Sequence, residues 1–90
     1  MIQLTLYTTF GCHLCEEAEE ILNLLQNLQV CRWTAIEISE DDRLVDLYGV
    51  RIPVVATEEG RELGWPFTLK MMSDWLTHPI LGQDKIGYKG

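Results

Sequence analysis

No apolar run in the 90-residue sequence approaches the roughly 18 residues that a membrane-spanning helix needs. The first residues, Met1 to Thr5, also lack the basic flank and the apolar stretch of a secretory signal peptide. Internal repeats, low-complexity segments and linkers are absent too, and a chain this short buries enough apolar surface for a single core only. We therefore expect one cytoplasmic domain that has no membrane partner.

Basic side chains are scarce, because seven lysines and arginines stand against 14 aspartates and glutamates. The net charge of −7 and the pI near 4.6 describe a surface that repels phosphate backbones and anionic lipids. With 47% apolar and 23% charged residues, the composition is that of an ordinary globular protein. Nucleic acid is thus not an expected partner, and disorder is not the expected main state.

Cysteine is scarce as well, with three residues in the chain. An odd number is unusual for a disulfide scaffold, and stable disulfides are rare in a reducing cytoplasm. Two cysteines close together in such a protein more often carry redox chemistry or bind a metal. The pair Cys12 and Cys15 is therefore the strongest functional signal in the sequence.

The first half of the chain predicts a parallel βαβ unit. Ile2 to Tyr7 alternates like a strand, Cys12 to about Gln29 has helical periodicity, and Val30 to Ile38 is rich in strand formers. The helix is predicted to bury one broad apolar face, made of Leu14, Ala18, Ile21, Leu22, Leu24, Leu25 and Leu28. Glu17 is the one acidic residue that falls on the wrong side of this pattern.

The second half predicts a short helix, an antiparallel hairpin and a last helix. The predicted elements are a helix starting in Ser39 to Asp42 and ending at Gly49, strands Val50 to Thr57 and Arg61 to Gly64, and a helix capped by Thr68 and stopped by Pro79. The order is βαβαββα, an α/β fold. We predict a domain over residues 1–78 and a loose tail over residues 79–90, where no periodicity remains.

The segment Cys12-His13-Leu14-Cys15 lies where a strand ends and a helix begins. Exposed amides at a helix start stabilise an anion at the first sulfur, so Cys12 is the predicted nucleophile. Cys15 falls at the edge of the apolar face and is the predicted resolving thiol. A His13 imidazolium would stabilise the Cys12 thiolate and make the pair more oxidising, whereas the nearby glutamates act the other way. These glutamates are Glu16, Glu17, Glu19 and Glu20.

The same residues also have simpler interpretations. A tetrahedral metal site needs two further ligands, and only Cys31, His13 and His78 remain, none of them paired at ligand spacing. We therefore predict no metal site. Cys31 is interpreted as a small buried hydrophobe. The acidic stretch from Glu37 to Asp42 is interpreted as a solvated helix start.

The tryptophans are interpreted as packing residues, because no basic residues interleave with them. They are Trp33, Trp65 and Trp75. A second hypothesis makes Trp65-Pro66-Phe67 an exposed patch near the active site that docks a partner.

The element order and the C-x-x-C motif together resemble the thioredoxin fold, and more closely its glutaredoxin-like proteins, over roughly residues 2 to 76. Leu4-Thr5-Leu6-Tyr7-Thr8 leads into the motif, and Arg51-Ile52-Pro53-Val54-Val55 resembles the proline segment that faces the active site in that family. The resemblance implies a four-stranded mixed sheet flanked by three helices. It also implies a cis Ile52–Pro53 bond and pairing of the Ile52 backbone with substrate.

The sequence departs from ordinary glutaredoxins at three places. His13-Leu14 stands where they have Pro-Tyr, and no cation precedes the motif in Thr8-Thr9-Phe10. Leu63-Gly64-Trp65-Pro66-Phe67 replaces a Gly-Gly-x-Asp segment that helps to hold glutathione. Gly64 and Trp65 are accordingly predicted substrate-binding residues, and Arg51 is the cation predicted to meet a carboxylate of substrate. We expect no tightly bound cofactor, with glutathione as a possible reductant.

The sequence thus predicts a monomeric thiol–disulfide oxidoreductase that acts on a protein disulfide or a small thiol. Its reductant is expected to be glutathione or a reductase system. One alternative is a glutaredoxin-like module that binds an iron–sulfur cluster or a metal at Cys12. Another is an adaptor that keeps the fold without turnover.

Overall fold

The computed structural model describes residues 1–77 of the chain. The predicted helix stop at Pro79, His78 and the predicted tail over residues 79–90 lie outside the described residues. The first half of the chain forms strand β1 (Ile2–Thr8), helix α1 (His13–Asn27) and strand β2 (Cys31–Glu37). β1 and β2 are parallel, with Ile2 opposite Cys31 and Thr8 opposite Glu37, which confirms the predicted βαβ unit.

The second half contains a 3₁₀ turn (Ile38–Glu40), helix α2 (Asp42–Tyr48), strands β3 (Val54–Thr57) and β4 (Glu62–Gly64), and helix α3 (Leu69–Thr77). Asp41 caps α2 by accepting a hydrogen bond from the backbone N–H of Arg43. Thr68 caps α3 as predicted, since its Oγ1 accepts from the N–H of Met71 at 3.0 Å.

The predicted strand from Val50 to Thr57 is too long at its start. The backbone N–H groups of Arg51 and Ile52 both donate to the carbonyl oxygen of Tyr48, so this stretch continues the end of α2 as a turn. Val50 is fully exposed. Val50 and Ile52 are β-branched, as is typical of a strand, but the N–H groups of Arg51 and Ile52 are already used by the helix end.

The four strands form one mixed sheet in the order β2-β1-β3-β4. β3 is antiparallel to β1 and to β4, which confirms the predicted hairpin. The α/β class and the four-stranded mixed sheet with three helices are therefore confirmed. β1 and β3 are the inner strands and are antiparallel. The end of β1 and the start of β3 therefore lie side by side, where these two strands end.

The main core lies between one face of the sheet and helices α1 and α3. Its fully buried members include Leu4 and Leu6 of β1, Leu22 of α1, and Met72 of α3. A smaller cluster of Ile38, Tyr48 and Val54 packs with Tyr7 and Leu44. Tyr7 follows Leu6 in the strand and so points to the opposite face of the sheet, where α2 covers it.

The apolar face of α1 is narrower than predicted. The buried residues are Cys15, Ala18, Leu22 and Leu25, spaced three, four and three apart along one stripe. Leu14, Leu24 and Leu28 lie beside that stripe and are exposed, so their predicted burial is wrong. Cys15 instead begins the stripe, which places the second cysteine of the motif in the protein interior.

Candidate active site

Cys12 is the residue that caps the start of α1. Its N–H donates to the carbonyl of Thr9 at 3.2 Å, which closes the turn between β1 and the helix. Gly11 within this turn has φ +80°, a conformation that side chains with a Cβ rarely adopt. The Cys12 sulfur accepts a hydrogen bond from the backbone N–H of Cys15 at 3.1 Å.

Cys12 and Cys15 are joined as a disulfide, with their Cα atoms 5.2 Å apart. The two sulfurs differ in access, because Cys12 is half-buried and Cys15 is 1% exposed. An attacking group can therefore reach Cys12 much more easily than Cys15. Cys31 is fully buried in the main core, as predicted, and burial raises the pKa of its thiol.

A groove of about 310 Å³ lies against Cys12. It is lined by the β1–α1 connection, by two side chains of α1 and by the last residue of β2, namely Thr8, Thr9, Phe10, Gly11, Cys12, Glu16, Glu19 and Glu37. The Phe10 side chain is almost fully exposed at this place. Three of the lining side chains are carboxylates, so the groove around the accessible sulfur is acidic.

Glu37 is fixed in position by two donors. Its Oε2 accepts from the hydroxyl of Thr9 at 2.7 Å and from the N–H of Ser39 at 3.1 Å. The hydrogen bond from Thr9, followed by those from Ser39, holds the pKa of the Glu37 carboxyl below its ordinary value. The interpretation of the acidic stretch as a merely solvated face is therefore wrong for Glu37, which ties β2 to the loop that carries Cys12.

His13 is the first residue of α1 and is exposed. Its Nε2 atom lies 3.7 Å from the carboxylate of Glu17, one turn further along the helix. The imidazole thus belongs to the residue that follows Cys12 in the motif, and it faces an acid on the helix surface.

Pro53 comes beside the end of β1 through the strand register. Tyr7 is opposite Val54, so the next antiparallel pair brings Pro53 next to Thr8, four residues before Cys12. The Ile52–Pro53 peptide bond is cis, and Pro53 is buried. Its carbonyl oxygen accepts from the N–H of Trp65 at 3.1 Å, which attaches the end of the hairpin to the same region.

Arg51 is held by neighbouring groups of the protein. Its guanidinium lies 2.9 Å from the carboxylate of Glu62, donates to the carbonyl of Leu47, and stacks over the ring of Tyr48 at 5.3 Å. The hydroxyl of Tyr48 donates to the same carboxylate at 2.6 Å. Tyr48 in turn stacks on Tyr7, with 4.1 Å between the ring centres.

The contact between Tyr48, Arg51 and Glu62 changes the pKa values of two of these side chains. Burial raises the pKa of Glu62, but the hydrogen bonds from Tyr48 and Arg51 outweigh it and leave a lowered pKa. The pKa of Tyr48 is raised, first by its hydrogen bond to Glu62 and then by burial. Glu62 therefore stays ionised and Tyr48 stays protonated around neutral pH.

The Trp65-Pro66-Phe67 segment is not a continuous exposed patch. Phe67 is 3% exposed and belongs to the main core, and Trp65 packs edge-on against it with ring centres 4.9 Å apart. The hypothesis of an exposed three-residue patch is therefore wrong at Phe67, because its ring fills the space under α3. Gly64 ends β4 and is exposed.

A second groove, of about 570 Å³, lies between this segment and the outer side of α1. Its lining residues are Glu17, Glu20, Ile21, Trp65, Pro66, Phe67, Thr68 and Met71. It shares no lining residue with the groove at Cys12, so the structure brings Trp65 to α1 without placing it in that groove.

Sequence reasoning missed Thr9 and Glu37 as neighbours of Cys12. Glu37 is 28 residues from Thr9, and only the parallel pairing of β1 with β2 brings them together. The pairing of the two strand ends was itself predictable, and it was the available signal. Within residues 1–77, no group of three or more His, Cys, Asp or Glu side chains is arranged to hold a metal. The same part of the chain has no helix long and apolar enough to cross a membrane.

Residues 3–77 match the family described as Glutaredoxin-like domain (DUF836). The X-ray structure of protein XcR50 from X. campestris is similar, with 38% identity and a TM-score of 0.73 over 82% of this chain and 95% of that one. Protein Ne2328 from Nitrosomonas europaea, solved by NMR, has 30% identity and a TM-score of 0.71 over 82% of this chain and 89% of its own. Among curated proteins, none matches the chain.

Proposed function

This chain belongs to the glutaredoxin-like family (DUF836) and has its thioredoxin-like fold, and from that premise we propose that it is a dithiol–disulfide oxidoreductase. In this proposal Cys12 is the attacking thiol and Cys15 the resolving thiol. The observation that carries it is the difference between the two sulfurs. Cys12 is accessible and caps a helix, while Cys15 lies one turn later in the interior.

The start of α1 explains why Cys12 would be the nucleophile. Its sulfur accepts the N–H of Cys15, and the free amides of the first helical turn lie at the positive end of the helix dipole. Both effects favour negative charge on that sulfur, and the thiolate is the form that attacks a disulfide. Cys15 has no such access and can react only with a sulfur already bound at Cys12.

The reaction conserves atoms and electrons in two exchanges. The Cys12 thiolate attacks one sulfur of the substrate disulfide, a mixed disulfide forms, and the other substrate sulfur leaves as a thiolate that takes up a proton. Cys15 loses its proton and attacks the Cys12 sulfur, which releases the second substrate thiol. The substrate gains two electrons, and the protein is left with the Cys12–Cys15 disulfide that the structure contains.

The return to the dithiol needs two electrons from a thiol reductant. We propose a dithiol reductase system for this step rather than glutathione, whose net negative charge is disfavoured by the carboxylates beside Cys12. We propose further that the Ile52 backbone next to Pro53 aligns an extended substrate segment, with Gly64 and Trp65 beside it. The support is positional, because Pro53 adjoins the end of β1 and its carbonyl binds the N–H of Trp65.

His13 and Arg51 have supporting parts in the proposal. His13 adjusts the charge around Cys12 from the first turn of α1. Arg51, through its contacts with Glu62 and Tyr48, holds the turn that leads to Pro53.

The test uses the reduced protein and a disulfide-bonded peptide whose thiols are counted after the reaction. The wild type is expected to release two thiols per protein. Cys12→Ser should abolish release, Cys15→Ser should stop at a mixed disulfide visible by mass spectrometry, and the control Cys31→Ala should react like wild type. A folded Cys12→Ser variant with full activity would overturn the proposal. Visible absorbance of the protein as purified would point to the iron–sulfur alternative instead.

A further inference from the structure

We propose that the groove at Cys12 selects disulfides that are flanked by positive charge and disfavours anionic ones such as glutathione disulfide. The inference rests on the proposed function and names its substrate class. It is carried by the position of three carboxylates, Glu16, Glu19 and Glu37, around the accessible sulfur. Cys12 itself lines this groove, so a substrate disulfide bound at Cys12 lies beside these carboxylates.

The three carboxylates belong to two elements of the fold, α1 and β2. Glu16 is in the first turn of α1 and Glu19 lies about one turn further along the same helix. Glu37 reaches the groove from the end of β2 and is held there by Thr9 and Ser39. Because Glu37 is already fixed, the negative field at this wall needs no rearrangement when a substrate arrives.

Among the residues that the structure describes, no lysine or arginine offsets these acids in the groove. None of the five lysines and arginines within residues 1–77 lines it. Arg51, the cation expected to meet a substrate carboxylate, lies outside this groove and is paired with Glu62. His13 is beside Cys12 but lies toward Glu17, which lines the other groove.

This arrangement has a consequence for the choice of substrate. Glutathione carries a net negative charge, so its approach to Cys12 is opposed by the carboxylates. A peptide with lysine or arginine beside its cysteine meets opposite charge in the groove. A groove lined by one sign of charge raises the rate of association with such a ligand. Electrostatic selection of this kind weakens as salt is added.

The test compares two disulfide-bonded peptides that differ only in the residues flanking the cysteine, lysine in one and glutamate in the other. We expect the reduced protein to react at least roughly tenfold faster with the lysine peptide at low ionic strength. The ratio should fall toward one near 1 M salt, where the screening length is about 3 Å. Glutathione disulfide should react at a rate close to that of the glutamate peptide.

The variant Glu16→Gln/Glu19→Gln removes two charges from the groove, and its ratio of rates should fall about fivefold. The ratio is the informative quantity, because any change in the reactivity of Cys12 itself affects both peptides equally. The matched control is Glu58→Gln/Glu59→Gln, which removes two exposed charges next to the turn at the far end of β3. Its ratio should equal that of wild type.

The outcomes separate the two proposals. Equal rates with both peptides, or a ratio that salt and the groove variant leave unchanged, would overturn the charge selection while the oxidoreductase function stands. A folded, reduced protein that reacts with neither peptide would instead overturn the proposed function. Faster reaction with the glutamate peptide would mean that a cation outside the described groove dominates, and it too would refute the inference.

Discussion

Tyr48→Phe is expected to destabilise the protein by removing one hydrogen bond and little else. The Tyr48 hydroxyl donates to the Glu62 carboxylate at 2.6 Å, and Arg51 binds the same carboxylate at 2.9 Å. Phenylalanine keeps the ring that stacks on Tyr7 and lies under the Arg51 guanidinium. The substitution therefore isolates the contribution of the hydroxyl.

The expected loss follows from the type of bond. A hydrogen bond to a charged group contributes about 1.5–3 kcal/mol to the free energy of unfolding. The Glu62 side chain is 31% exposed and keeps Arg51 as a partner, so the lower end applies and we expect about 1.5 kcal/mol. For a domain of this size, this corresponds to a fall in Tm of roughly 6 to 12 °C.

The loss of stability in Tyr48→Phe should depend on pH and should become smaller at low pH. The folded-state pKa of Glu62 is lowered, so its contribution to stability is complete above the pKa of the unfolded chain, near ~4.3, and disappears as the pH falls through the folded-state value. The difference between wild type and Tyr48→Phe should thus be constant from pH 7 to pH 5. At still lower pH it should shrink to about half, the contribution of a hydrogen bond between neutral groups.

The assay is urea unfolding followed by tryptophan fluorescence, at pH 7 and at pH 3. Glu62→Gln is the companion variant, because it keeps an acceptor for Tyr48 and removes the charge. The double variant gives the coupling between the two side chains. A loss below about 0.5 kcal/mol at pH 7, or a loss undiminished at pH 3, would refute the reasoning.

Two further predictions concern Cys31 and Thr68. Cys31 is fully buried and its pKa is raised, so an alkylating reagent should label it only at the rate of unfolding. Rapid labelling of the native protein would contradict this. Cys31→Ala should lower the free energy of unfolding by about 1 kcal/mol. Thr68→Ala should lower the free energy of unfolding by about 1 kcal/mol, because the N–H of Met71 loses its cap, whereas Thr68→Ser should lower it much less. Equal losses for the two variants in urea unfolding would show that the cap is unimportant.

The sequence predicted well what depends on local periodicity and on turn chemistry. The alternation in β1, the helical period in α1 and the turn before β4 all appear where they were expected. The approach of Pro53 to the end of β1 was implied by the resemblance to glutaredoxin-like proteins, and the register of β1 with β3 has it there. The C-x-x-C motif was predicted at the start of a helix, and there it is.

Contacts between residues far apart in the chain were harder to predict. The hydrogen bond to Glu37 was not predicted, because its donor, Thr9, lies in the β1–α1 connection, 28 residues away in the chain. Arg51 was predicted to be available to substrate, and its pairing with Glu62 depends on how the hairpin folds back over α2. The residues before β3 form a turn because the end of α2 binds their N–H groups, which no propensity scale contains.

The sulfur of Cys12 is the proposed reactive atom and also the acceptor that caps α1. Charged acceptors make stronger hydrogen bonds than neutral ones, so a thiolate at this position caps the helix better than a disulfide sulfur does. In the proposed reaction, each turnover would change the stability of the first turn of α1 along with the oxidation state. The helix and the redox couple are thermodynamically linked, and whatever tightens the first turn also favours the reduced protein.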